Sequence, residues 1–156
     1  MKKSKFTLIP KDKALVDLIE STDKQVVALW AVDCVKRVLP YFEEVYPEDC
    51  RPRQAIETLQ AWIATGDFKM SVIRQAALAS HAAAREVGTD NAARSAARAA
   101  GQAVATAHVT AHAIAAANYA LQAIHRAADG LEADSDVEKE RAWQYQHLLE
   151  LVPDSL

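Results

Sequence analysis

Two histidines stand four residues apart at His108 and His112, and Tyr119 follows seven positions later, in a segment, "ATAHVTAHAIAAANYA", that is otherwise mostly alanine. Four residues is a little more than one helical turn, so both imidazoles project from one side of a helix. That spacing supplies two ligands of a zinc site, which needs a third and usually a fourth. The glutamate of the metalloprotease HExxH motif is missing, because Val109, Thr110 and Ala111 fill the gap. Acid–base work is the second reading, and it needs a nucleophile or substrate pocket. No GxSxG, P-loop or dinucleotide fingerprint occurs. Structural hydrogen bonding or recognition of a partner is the third.

On a helical wheel at 100° per residue, His108, His112, Tyr119 and Arg126 share one stripe, with Val109, Ala113, Ala117, Leu121 and Ile124 opposite. The segment from Lys69 to Val87 puts Arg74, His81 and Arg85 on a similar stripe among alanines. Alanine lets helix axes approach closely, so polar groups between two such helices are tightly held. Facing each other, the stripes make a His/Arg cluster whose guanidinium forks match a carboxylate or a phosphate. The expectation is that His81, Arg85, His108 and His112 converge on a polar site free of tightly bound metal, with Glu43, Asp33 and Tyr119 as acceptors. In "PEDCRPR", Asp49 suits a helix N-terminus. Arg51 and Arg53 do not, and are expected to pair with Asp33 or Glu43. Asp33 and Arg37, four apart on an apolar helix, must also be neutralised locally.

The elements that position these groups are helical. The chain has 156 residues, is 51% hydrophobic and 25% charged, and holds only four glycines and five prolines. Those numbers suit one compact helical domain. Expected helices cover Lys13 to Glu20, then Val26 to Leu39 behind a Thr22/Gln25 capping box, then a short turn from Pro40 and a helix from Pro52 to Gly66. The Val26 to Leu39 helix is apolar nearly all round and should be central. Gly88 separates the next two helices. An unbroken helix to Ala128 would be too long, so a break is expected near Gly101, Val104 and Thr106, with a restart near His108. "GLEADSD" reads as a solvated linker before a last helix capped by Ser135 and Glu138. The total is an all-α, single-domain bundle of six or seven helices: a leading segment 1–24, a core 25–128, and an acidic loop with C-terminal helix 129–156.

The net charge of −3 argues against a general grip on nucleic acid. The start, "MKKSKFTLIP", runs into charged residues and not an apolar signal region, and no stretch reaches the length of a membrane helix, so a cytoplasmic protein is expected. Cys34 and Cys50 are too few for a disulfide scaffold and read as packing residues. No cofactor is expected. The oligomeric state stays open, a homodimer included.

Taken in order, "LWAVDCVKRVLPYFEEVYPEDCRPRQAIETLQAWIATG", "ALASHAAAREVG" and "AARSAARAAGQAVATAHVTAHAIAAANYALQAI" resemble the bacterial immunity-protein-five-like family. The resemblance runs from Leu29 to Ile124 and leaves out the leading segment to Lys24 and the tail after Asp129. It carries onto Arg37, Glu43, Asp49, Arg51, Arg53, His81, Arg85, Arg94, His108 and His112. What it implies is an all-α domain that neutralises a cognate toxin in polymorphic toxin systems. A helical protein binding a small anion or a metal through the His/Arg cluster is the alternative.

Overall fold

The computed structural model describes residues 3–8 and 12–153. Among them there is no strand, and eight α-helices follow one another: α1 (Lys13–Ser21), α2 (Lys24–Lys36), α3 (Pro40–Glu43), α4 (Arg51–Thr65), α5 (Met70–Glu86), α6 (Ala92–Ala105), α7 (His112–Ala127) and α8 (Ala133–Leu151). The all-helical reading holds. The number exceeds the expected six or seven because the short turn from Pro40 is itself a helix, α3.

The bundle is built round α2 and α6. Val27, Trp30, Ala31, Val32, Cys34 and Val35 of α2 are all fully buried, as an all-round apolar sequence requires. The Trp30 indole donates to the Gln144 carbonyl at 2.8 Å, and the Gln144 amide donates on to the Ala117 carbonyl at 3.1 Å. Two hydrogen bonds therefore tie α2, α8 and α7 at the centre of the core. Helix α6 packs against α2, α3, α4, α5 and α7. It can touch so many neighbours because its buried positions are alanine, serine, glycine and valine, which keep its axis close to theirs.

Several local expectations change. The N-cap of α2 is Asp23, whose carboxylate accepts from the Gln25 amide at 2.8 Å, while the Thr22 hydroxyl turns back to the Leu18 carbonyl and closes α1. Gly101 stays inside α6. The break falls at 106–111, so His108 lies ahead of α7, which starts at His112. "GLEADSD" is not a loop throughout: a 3-10 turn at Gly130–Glu132 leads straight into α8, and Ala133 is buried. Ser135 is thus inside the helix, and Asp134 and Asp136 occupy the first turn, where the helix dipole favours negative charge. Cys34 packs in the core as expected, but Cys50 is exposed ahead of α4. Gly66 ends α4 in a left-handed conformation at φ 73°, its amide bonded to the Trp62 carbonyl.

The His/Arg seam between α5, α6 and α7

Helices α5 and α6 run antiparallel, pinned where the Ser80 hydroxyl donates to the Ala97 carbonyl at 2.8 Å. One residue on, the far end of the His81 ring occupies the gap left by Gly101. A Cβ built at Gly101 would stand 2.7 Å from both Cε1 and Nε2 of that ring. Glycine is needed there for space. Arg98 sits three residues before Gly101, on the same side of α6, and Arg85 stands one turn beyond His81 on α5. Burial pushes His81 down to about 4, helped by the charges of Arg98, Arg85 and His112. Its imidazole is therefore neutral at neutral pH, and its Nδ1 is buried with no partner among the described residues.

His112 opens α7 and reaches across to α6, where its Nδ1 meets Oε1 of Gln102 at 2.8 Å. An amide oxygen accepts, so this pairing puts the ring proton on Nδ1. Burial, with a smaller contribution from His108, holds His112 below the usual imidazole range. His108 itself is exposed and stacks on Phe68, with ring centres 6.2 Å apart. The sequence stripe thus divides: the charges of Arg85 and His112 reach His81, His112 bonds to α6, and His108 lies at the exposed edge. Tyr119 goes elsewhere. It lines a groove of about 350 Å³ with Phe6, Leu8 and Gln122, beside the N-terminal segment. Among the described residues, no three His, Cys, Asp or Glu side chains are grouped so as to hold a metal ion.

The expected acceptors for the imidazoles are occupied by other partners. Glu43 takes Arg53 in a two-pronged pair at 2.6 and 3.0 Å, one of the two pairings expected for that arginine. Arg51 pairs with Asp49 at 2.7 Å and also meets Glu86, so it bridges the start of α4 to the end of α5 and does not reach Asp33. Asp49 is held below the usual carboxylate range by its bonds from Arg51. Asp33 accepts from His147 Nε2 at 2.7 Å.

Asp33 and Arg37 form one seam with α8. Arg37 grips Glu140 by two bonds, 2.7 and 3.0 Å, and its guanidinium lies 3.8 Å from the centre of the Trp143 ring. Trp143 in turn stacks on His147, with ring centres 4.8 Å apart. Sequence reading offered Asp33 to Arg51, Arg53 and the imidazoles of the His/Arg cluster, none of which takes it, and named no partner for Arg37. The signal was present: Glu140, Trp143 and His147 are spaced by three and four residues, one face of one helix. Gln102, the partner of His112, carried no comparable signal, since a lone glutamine has no pattern.

Neither the curated proteins nor the solved structures contain a match to this chain. A family model described as Imm-5 like putative immunity protein matches residues 17–151. The match runs well past Leu29 to Ile124 at both ends, taking in most of α1 and the whole of α8. That extent agrees with the geometry, because α8 supplies Glu140 and His147 to the charged residues of α2 and Gln144 to its Trp30. A helix that completes the pairing of the core cannot be an appendage to it, and on a match spanning that whole framework the chain belongs to the Imm-5 like family.

Proposed function

We propose that this protein acts by binding, as the partner that neutralises a cognate toxin protein, and not by turnover. Membership of the family over residues 17–151 carries the reading. The arrangement of charge supports it. Arg37 and Arg53 are spent on two-pronged pairs that tie helices together, and Arg51 bridges Asp49 to Glu86, which makes a rigid body whose surface can be presented without rearrangement. Rigid presentation lowers the entropic cost of association.

The test is capture and rescue. The protein encoded beside this gene is expressed with and without this chain, and the two purified proteins are mixed. A stable complex together with restored growth is the expected result. Growth arrest unchanged by this chain, with no complex formed, overturns the reading, as does tight capture of a metabolite in place of a protein.

A further inference from the structure

The arginines fall into two groups. Arg37, Arg51, Arg53, Arg94, Arg126 and Arg141 each lie within salt-bridge distance of a carboxylate. Arg74, Arg85 and Arg98 have no such partner among the described residues. All three lie on α5 and α6. From residue 70 to residue 127 the only carboxylates are Glu86 and Asp90. Glu86 is taken by Arg51, and Asp90 by Arg94 and Arg126. With five arginines, no lysine and two carboxylates, residues 70–127 carry a formal charge of +3 in a chain of net charge −3, and the arginines without a carboxylate partner all lie on one pair of helices.

The geometry of that charge is ordered. Arg74, Leu78, His81 and Arg85 stand at intervals of four, three and four residues, a stripe about 60° wide and about 16 Å long on α5. Arg74 and Arg85 are exposed, and Leu78 between them is 59% exposed. His81, seated on Gly101, fixes this stripe against α6 and brings Arg98 beside it. Arginine is enriched among the residues that carry binding energy at protein interfaces, and the exposed leucine between them adds apolar area for a partner to bury.

We propose that Arg74, Leu78, Arg85 and Arg98 form the surface on which the toxin docks, and that the toxin meets it with an acidic patch around an apolar pocket. This rests on the toxin-binding reading above and adds the face and the chemistry of the partner. Charge complementarity selects the occupant. Three arginines are too few to hold a nucleic acid at physiological salt, where backbone binding uses several phosphate contacts, and Leu78 at the centre has no phosphate to meet. The surface masked on the toxin is therefore acidic, the opposite of a cleft that holds nucleic acid.

The experiment uses the full chain and the neighbouring gene's protein, with affinity measured by titration calorimetry at low and high salt. Arg85→Glu and Arg98→Glu should each weaken binding about tenfold or more, and Leu78→Asp by a similar factor, since rim and central groups both contribute. Arg85→Gln and Arg98→Gln, which avoid introducing charge beside His81, should weaken it less but in the same direction. Lys36→Glu, on the exposed side of α2, should leave it unchanged. Circular dichroism melts confirm folding of each variant. Wild-type binding that survives all the α5 and α6 substitutions overturns this assignment while the toxin reading stands. Absence of any wild-type complex overturns both. Binding of a single-stranded or duplex oligonucleotide that is lost in Arg85→Gln overturns the acidic-protein partner.

Discussion

Replacing Gly101 with alanine sets two opposed effects against each other at one atom. In an exposed helix interior, glycine to alanine gains about 1 kcal/mol from backbone entropy. Here the new methyl would stand 2.7 Å from Cε1 and Nε2 of His81, closer than carbon atoms approach, in a buried position. Overpacking of this kind costs about 1–3 kcal/mol. The obstacle is a side-chain ring and not backbone, so it swings aside, and the cost falls near the middle of that range. The net expectation is a loss of about 1 kcal/mol, or about 2–4 °C in Tm for a chain of this length. In a His81→Ala background the obstruction is gone and the same substitution should stabilise by up to about 1 kcal/mol. Urea unfolding of wild type, both single variants and the double variant gives the coupling, expected at about 2 kcal/mol. A coupling near zero, or a stabilised Gly101→Ala, would refute the claim that glycine is there for the ring.

Other consequences can be read in solution. Between 6.5 and about 4 the unfolded chain takes up a proton at His81 that the folded chain refuses, so stability falls as pH drops through that window and is unaffected above it; urea midpoints at about pH 7.5 and about pH 5.5 should differ more in wild type than in His81→Gln. Arg37→Ala leaves the Glu140 carboxylate, whose side chain is 8% exposed, without its partner; because the arginine side is partly solvated, the loss should be about 2 kcal/mol and not the full cost of breaking a buried pair, with Glu140→Gln milder, and a loss under about 0.5 kcal/mol would contradict it. The Cys34 thiol is buried and pushed up by that burial and by Glu140, so a thiol reagent should label Cys50 alone in the native protein, and Cys50→Ser should abolish labelling until denaturant is added.

The helices were legible because alanine, capping residues and periodic apolar positions act locally. Val26 to Leu39 announced its central place by being apolar all round, and Trp30 and Val35 are indeed fully buried. What local patterns could not reveal was which helix faces which. Tyr119 shares a wheel stripe with His112, yet the two serve different neighbours: His112 meets Gln102 of α6, while Tyr119 lines the groove beside Phe6 and Leu8. Helix ends were misjudged where another cap won: Asp23 over Thr22, and the 3-10 turn over Ser135. Glu43 and Asp33 were read as acceptors for imidazoles of α5 and α7, whereas an arginine and a histidine nearer in the fold claim them.

The Trp30 to Gln144 bond joins residues 114 apart in the chain. On the ribosome, at about 5–20 residues per second, α2 waits roughly 5–25 s before the helix that covers it has been made. During that wait, one of the most apolar segments of the protein is already outside the exit tunnel with no native surface to bury against. A helix with seven of its thirteen residues buried cannot be sheltered by its immediate neighbours alone, so the interval must be bridged by transient burial against α4 and α6 or by a holding chaperone. Vectorial synthesis thus makes the last helix a checkpoint: a chain truncated before α8 keeps an open seam along α2, and its fate is aggregation or proteolysis and not a smaller working protein.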